Sequence, residues 1–373
     1  MLHVVVLGGG RVGGAMAKDL APEFKVTVAD RSEATLARLR EAGLATRAAD
    51  LSLPDGVKTA VADADLVVGA VPGFLGFATA RAVLEAGKPL VDISFFDEDC
   101  FELDALAKAQ NLTAIVDCGV APGCPNLILG DLSRQWDRIT SFQCLVGGLP
   151  VVRTWPYEYK AGFSPIDVIE EYTRPARYVK DGRVVTYPAL SEPELLDFEG
   201  LGTLEAFNTD GLRSILQTFP QVSDMKEKTL RYPGHIEKMR MLRDSGFFDK
   251  EKIHVSGRDI SPLDLTTALL FPLWAMGEGD EDFTILRVTV AGEQGGQKVR
   301  RELNLLDRYD RATKTTSMAR TTGYTCTATL RLLARGGYTR KGISPPEFVG
   351  QEPGAWDFIR GELAYRGVAF TEA

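Results

Sequence analysis

Apolar and polar positions alternate along this chain in a pattern that changes once. Over residues 1–122, short apolar runs are separated by stretches of helical spacing. Val4–Leu7, Lys25–Ala29, Leu44–Ala48, Asp65–Ala70, Pro89–Ile93 and Thr113–Val116 read as strands. Between them Val12–Leu20, Ser32–Ala42, Asp55–Ala62, Leu75–Ala86 and Glu102–Ala109 read as helices, with Ser32 as an N-cap. Strands and helices taking turns predict a parallel sheet covered on both faces, a doubly wound α/β (Rossmann) domain.

From residue 123 the pattern is different. Ile139–Val146 reads as a strand. Asp181-Gly182 between Tyr178-Val179 and Val184-Val185 signals a hairpin, and Gly292–Gly296 between Phe283–Val290 and Val299–Leu306 signals a second. Helical pieces lie near Pro165–Tyr172 and Ile236–Asp244. Residues 123–316 are therefore expected to form an α+β domain with a mainly antiparallel sheet. A long helix, Met318–Ala334, closes at Gly336-Gly337. A proline-rich turn, Ile343-Ser344-Pro345-Pro346, and a last helix near Trp356–Tyr365 follow.

Composition narrows the function classes. The chain has 373 residues, and a formal net charge of −8 with no basic stripe argues against a nucleic-acid partner. No apolar run is long enough to span a membrane. The first residues, Met1–Gly8, run straight into a glycine loop, so they are expected to be a strand and not a signal peptide. None of the five cysteines forms a CxxC pair, and no histidine clusters with them, so no metal site or disulfide framework is expected. Reduced thiols in a cytosolic protein fit best.

The most specific local chemistry is Gly8-Gly9-Gly10-Arg11-Val12-Gly13. This GxGxxG follows a strand and opens a helix. Gly8 permits the tight turn, Gly10 lets the backbone approach a pyrophosphate, and Gly13 lets helix and strand pack closely. Backbone N–H groups at the helix start, around Arg11 and Val12, favour an anion. Asp30 ends the second strand. A carboxylate there accepts hydrogen bonds from ribose hydroxyls and repels a 2′-phosphate, which favours NAD; Arg31, next to it, suits NADP instead. Asp30 as a helix cap is the alternative. Val71-Pro72-Gly73 follows the fourth strand and is expected to pass over the cofactor or to be an ordinary turn.

Four further motifs carry a family resemblance: Asp117-Cys118-Gly119-Val120-Ala121-Pro122-Gly123, Val146–Pro150, Thr229–His235 and Ala319–Gly323. With them the chain resembles the saccharopine dehydrogenase family over almost its full length, and within it the lysine 6-dehydrogenase branch. Glu170–Arg177 and Asp210–Ser214 are similar to that branch too. The saccharopine reductases of the family carry Asp where this chain has Ala121, Cys where it has Val146, and Phe where it has His235. Groups tied to their acid–base chemistry are thus absent, which argues against saccharopine as substrate and leaves the reaction type standing. The resemblance implies that residues 317–373 return to the dinucleotide domain, and that the protein is a homodimer built through the antiparallel sheet.

The implied reaction is oxidation of an amino-acid amine. A lysine ε-amine has a pKa of about 10.4, so a base must stand near it at neutral pH. His235, which opens a helix after Pro-Gly, is the first candidate, with capping or packing as its alternative. Asp117, at the end of the sixth strand, is the second; it would hold the substrate ammonium or bind loop N–H groups. Arg213, Arg231 and Arg320 are candidates for the substrate carboxylate, because a guanidinium fork matches it bidentately. Tyr157, Glu158 and Lys160 lie where the family's substrate wall would be. The alternatives are an NADP-dependent imine reductase of the saccharopine or carboxynorspermidine type, and a catalytically silent cofactor-binding protein.

Overall fold

The structure, a computed structural model, describes residues 1–372. The chain divides into two compact units. One comprises residues 1–139, 292–299 and 318–370, and the other residues 140–291, 300–317 and the last few from 371. No helix among the described residues is long and apolar enough to cross a membrane.

The first unit begins with six βα steps. These are β1 (His3–Leu7), α1 (Arg11–Leu20), β2 (Lys25–Asp30), α2 (Glu33–Glu41), β3 (Ala45–Ala48), α3 (Pro54–Val61), β4 (Leu66–Gly69), α4 (Gly73–Glu85), β5 (Leu90–Asp92), α5 (Asp104–Ala109), β6 (Thr113–Ile115) and α6 (Cys124–Gln135). The strands are short and almost wholly apolar because helices cover both faces of the sheet. Val5, Val67, Leu90, Ala114 and the inner faces of α3 and α4 form one continuous core. Ser32 caps α2, its Oγ accepting from Thr35 N–H at 3.3 Å.

The second unit is built on a nine-stranded sheet. Its elements are β7 (Arg138–Pro150), α7 (Pro165–Thr173), β8 (Ala176–Lys180), β9 (Arg183–Tyr187), β10 (Glu194–Phe198), β11 (Gly202–Asn208), α8 (Ile215–Thr218), β12 (Asp224–Arg231), α9 (His235–Asp244), β13 (Ile253–Val255), β14 (Arg258–Ile260), α10 (Pro262–Trp274), β15 (Asp282–Gln294) and β16 (Gln297–Arg308). β13 and β14 form a separate ribbon. The hairpin at Asp181-Gly182 joins β8 to β9. Most pairings whose register is known are antiparallel, but β12 runs parallel to β7. The second hairpin turns at Gly295-Gly296, later than expected, and Gly292 stays in β15. A Cβ on Gly292 would lie 2.1 Å from the Arg138 carbonyl oxygen, so a side chain is excluded there.

The chain ends with α11 (Ser317–Ala334), β17 (Gly342–Ser344), α12 (Pro346–Gly350), α13 (Ala355–Tyr365) and β18 (Phe370–Glu372). Ile343-Ser344, expected to open a turn, instead belongs to β17, which pairs parallel with β6. The sheet order β17-β6-β5-β4-β1-β2-β3 therefore has seven strands. α11 lies along α1 and runs parallel to it. A Cβ on Gly323 would meet Met16 at 2.9 Å, Thr327 donates to Asp19, and Arg331 reaches Asp19 and Glu23. The first turn of α11 thus stands at the same end of the first unit as the glycine loop.

Candidate active site

The glycine loop forms the cradle its sequence calls for. Gly8 has φ +103°, and a Cβ on it would lie 2.4 Å from the Ala70 carbonyl oxygen. A Cβ on Gly13 would lie 2.0 Å from the Gly8 oxygen. At Gly10, by contrast, a Cβ would meet nothing within 4 Å, so the outer side of the loop is open to a ligand. Arg11 and Val12 begin α1, whose first turn has no acidic residue to compete for its N–H groups.

Asp30 closes this cradle from the side. Its Oδ2 accepts from Gly9 N–H (2.7 Å) and its Oδ1 from Ser32 N–H (2.8 Å). The carboxylate therefore clamps the loop and the start of α2, and each oxygen keeps lone-pair capacity for another donor. Arg31 is exposed, and its charge lowers the pKa of Asp50 behind the Ser52 hydrogen bonds. Val71, Pro72 and Gly73 lead from β4 into α4 on the same carboxyl edge of the sheet.

Asp117 follows β6 on that edge. It is buried, and its φ is +54°, a left-handed conformation that Asp tolerates better than most residues. The loop after it closes on itself, with Gly119 N–H donating to Pro122 O (3.0 Å) and Cys124 N–H to Gly119 O (3.2 Å). Thr322, in the first turn of α11, packs beside Gly119. Arg320 is mostly buried in that turn, donating to the Arg366 carbonyl at 3.0 Å. Burial pushes the Cys118 and Cys124 thiols up to about 12, so neither is a nucleophile at neutral pH.

One carboxyl group here was not anticipated. Asp92, the last residue of β5, is 1% exposed and bonds Ser94 twice. Burial lifts its pKa to about 7. The Ser94 hydrogen bonds oppose that shift and the Asp117 charge adds to it. The one signal in the sequence is a carboxylate inside an otherwise apolar run, Pro89–Ile93.

The candidates of the second unit divide into two groups. Tyr157 and Lys160 line a small cleft with Val152, Trp155, Tyr159 and Leu273. Lys160 is ion-paired with Asp280, and Glu158 with Arg153. Arg231 and His235 lie deeper. His235 is 1% exposed, with Nδ1 2.8 Å from the Tyr157 carbonyl oxygen and Nε2 2.9 Å from the Tyr172 hydroxyl. A carbonyl can only accept, so Nδ1 carries the proton and Nε2 accepts from Tyr172. Tyr172 in turn accepts from Arg231 Nε (3.1 Å), and Arg231 Nη2 reaches Glu171 at 2.6 Å. Burial, then the Arg231 charge, lowers the His235 pKa to about 3.

These contacts make His235 a poor proton acceptor and fit the packing alternative. Arg231 likewise spends its fork on Tyr172, Glu171 and the Leu230 carbonyl. Arg213 precedes α8 with φ +51° and is mostly buried. The first unit thus gathers the glycine loop, Asp30, Arg31, Val71–Gly73 and Asp117 along one carboxyl edge, where doubly wound sheets bind their ligands. The second gathers Tyr157 and Lys160 at a cleft.

Comparison with known proteins agrees with this architecture. Residues 4–115 match the family model described as the saccharopine dehydrogenase NADP binding domain, and residues 119–368 match the saccharopine dehydrogenase C-terminal domain. Among curated proteins, the chain is 25% identical over 266 residues to a saccharopine dehydrogenase [NADP(+), L-glutamate-forming] of Pyricularia oryzae, covering 67% of this chain and 58% of that protein. It is 26% identical over 220 residues to an alpha-aminoadipic semialdehyde synthase of Arabidopsis thaliana, covering 54% of this chain and 20% of that protein. The chain therefore spans less than two thirds of the length of either relative. In fold it is similar to an apo saccharopine dehydrogenase (L-Glu forming) from Saccharomyces cerevisiae, with a TM-score of 0.80, 20% identity, and 100% and 99% of the two chains covered. The chain belongs to the saccharopine dehydrogenase family of nicotinamide-dinucleotide-dependent oxidoreductases.

Proposed function

We propose that this chain is an NAD-dependent dehydrogenase that oxidises the ε-amine of L-lysine to the semialdehyde with release of ammonia. The observation that carries the reading is the buried carboxylate Asp117 on the cofactor edge, in a loop that has Ala121 where the saccharopine reductases have Asp. One carboxylate beside the reacting carbon suits a small primary amine. When bound, the dinucleotide supplies the hydride acceptor.

The chain's own groups do the rest. The glycine loop and the N-terminus of α1 hold the pyrophosphate, and Asp30 takes the ribose hydroxyls, which favours NAD over NADP. Asp117 holds the substrate ammonium and takes its proton, because an ammonium has no lone pair with which to expel a hydride. The substrate Cε–H bond then breaks with its electron pair and leaves an iminium. Water adds to that carbon, ammonia departs and the aldehyde remains. Arg320, in the first turn of α11 of the same unit, is the cation this reading offers to the α-carboxylate. His235 has a structural part, its ring holding the Tyr157 carbonyl. A homodimer and a cytosolic location, with none of the five cysteines in a disulfide, belong to the same reading.

The second reading is an NADP-dependent reductase that joins an amine to an aldehyde. The family model's description and the relatives' names favour it; Ala121 and Val146 argue against it. The test is turnover of lysine and of saccharopine under matched conditions with each dinucleotide. NADH formation with lysine, ammonia release and far slower use of saccharopine are expected. A faster saccharopine rate overturns the proposal.

A further inference from the structure

The proposed reaction gives no role to Asp92, yet its position ties together three connections on the carboxyl edge. Oδ2 accepts from Ser94 N–H (3.1 Å) and Oδ1 from Ser94 Oγ–H (3.0 Å). The carboxyl lies against Gly69, the last residue of β4; a Cβ there would sit 1.8 Å from Oδ1. The Asp92 carbonyl accepts from Cys118 N–H (2.9 Å), in the connection after β6. Ser94 and Phe96 then pack on α4, where a Cβ on Gly76 would meet them at 2.6 and 2.9 Å.

The sheet order gives this cluster its meaning. A dinucleotide crosses a doubly wound sheet at the switch point, here between β1 and β4. A dinucleotide with its pyrophosphate on the loop after β1 and its adenosine at Asp30 on β2 would direct its nicotinamide half towards the ends of β4, β5 and β6. The titratable groups facing Asp92 there are Asp117 after β6, Cys118 beside it, and Cys326 on α11. All are acids, and no cation is among them. A carboxyl group so placed is held near the point of ionisation, and a change of charge beside it tips the balance.

We propose that Asp92 tunes the bound cofactor by charge, ionised beside the cationic oxidised nicotinamide and protonated beside the neutral reduced one. Its ionisation therefore sets the relative affinity for the two redox forms. The inference rests on dinucleotide binding by this unit, and stands whether or not lysine is the substrate. At low pH Asp92 is neutral in both complexes and expresses no preference. As pH rises, it ionises first in the oxidised complex, and reduced cofactor loses affinity relative to oxidised. The ratio changes about tenfold for each unit by which the cofactor's charge displaces the Asp92 pKa.

The experiment measures dissociation constants of NADH, by nicotinamide fluorescence, and of NAD, by competition, from pH 5.5 to 8.5. In the unaltered protein the ratio of the two should move about tenfold in favour of NAD, one unit of displacement. In Asp92→Asn, which preserves the shape and the contacts with Ser94, the ratio should stay flat. In Asp117→Asn the change should persist at lower pH, because a neighbouring negative charge has been removed. Difference infrared spectroscopy of the unaltered protein supplies a readout without any variant. Replacing NAD by NADH near pH 6.5, midway between the two expected pKa values, should add a carboxylic-acid carbonyl band. A pH-independent ratio in the unaltered protein, an unchanged slope in Asp92→Asn, or loss of the change in Asp117→Asn alone overturns the proposal. So does absence of the carbonyl band.

Discussion

His235→Phe separates a structural histidine from a catalytic one, because the two make opposite demands on stability. In the folded protein the ring is neutral, donating from Nδ1 to Tyr157 and accepting at Nε2 from Tyr172. Phenylalanine fills similar space but leaves a buried carbonyl and a buried hydroxyl each short of one partner. At about 1–3 kcal/mol per group, the loss near pH 7.5 should be roughly 2–6 kcal/mol. The pH dependence then fixes the sign. The folded-state pKa is depressed, to about 3 from 6.5. Above 6.5 neither folded nor unfolded chains protonate this ring, and its contribution is fully present. Below 6.5 the unfolded chain binds a proton that the folded chain refuses, and stability falls by about 1.4 kcal/mol per pH unit down to the folded pKa. Between pH 6.5 and 4.5 the unaltered protein should lose about 2–3 kcal/mol from this source, and the variant none of it. Urea denaturation of both proteins, followed by circular dichroism, should show the gap between them narrowing by that amount. Turnover per folded molecule should stay within a few-fold. A constant gap, with unaltered stability and a loss of kcat of about 100-fold or more, would refute this reasoning and restore the ring as the base.

The other predictions use the first unit. Asp30→Asn removes the charge and keeps an acceptor for only one of Gly9 N–H and Ser32 N–H, so discrimination against NADP should narrow at the cost of one hydrogen bond. Equal or better use of NADP by the unaltered protein in steady-state kinetics would overturn the Asp30 assignment and shift the role to Arg31. Gly8→Ala drives a Cβ against the Ala70 carbonyl and should abolish NADH binding in a fluorescence titration; normal affinity would show that the loop is not the cradle. Arg331→Met removes a fully buried guanidinium and leaves the half-buried Asp19 carboxylate without one of its two guanidinium partners, the other being Arg366. Breaking a buried pair should cost about 3–5 kcal/mol in urea denaturation, and a loss under about 1 kcal/mol would refute it.

Much of the first unit is legible in sequence because its strands are apolar runs bounded by glycine, proline and capping residues. The exception is β17. Three residues carry no periodicity, and Ile343-Ser344 before two prolines reads as a turn. Only β6, more than 200 residues earlier, makes it a strand, through the pairing of Gly342 with Thr113. The second unit hides more. β12 is Asp-Met-Lys-Glu-Lys-Thr-Leu-Arg, whose charges look like a solvated surface. Glu227 and Lys228 are nevertheless buried, and Lys228 reaches Glu194 (2.7 Å) and the Glu192 carbonyl (2.8 Å) on another segment. A polar pattern that is satisfied across the fold cannot be told from an exposed one by periodicity alone.

The same division runs through the candidate site. The glycine loop is readable because its requirement is local backbone geometry: a positive φ at Gly8, and no side chain at Gly8 or Gly13. Protonation state has no such local signature. His235 suggests acid–base chemistry by residue type, yet burial and the Arg231 charge hold its ring neutral far below the usual range. Asp92 suggests nothing by type, yet burial beside Asp117 brings it to about 7. Burial, the first cause of both, comes from segments distant in sequence: the His235 ring lies against Tyr157 and Tyr172, 78 and 63 residues away, and Asp117 approaches Asp92 through the pairing of β5 with β6. The parallel sheet that makes the cofactor cradle recognisable also creates the carboxyl pair at its edge. A residue chosen for its ordinary pKa is therefore a weaker guide to the acid–base chemistry of this fold than one at the end of a strand with another carboxylate beside it.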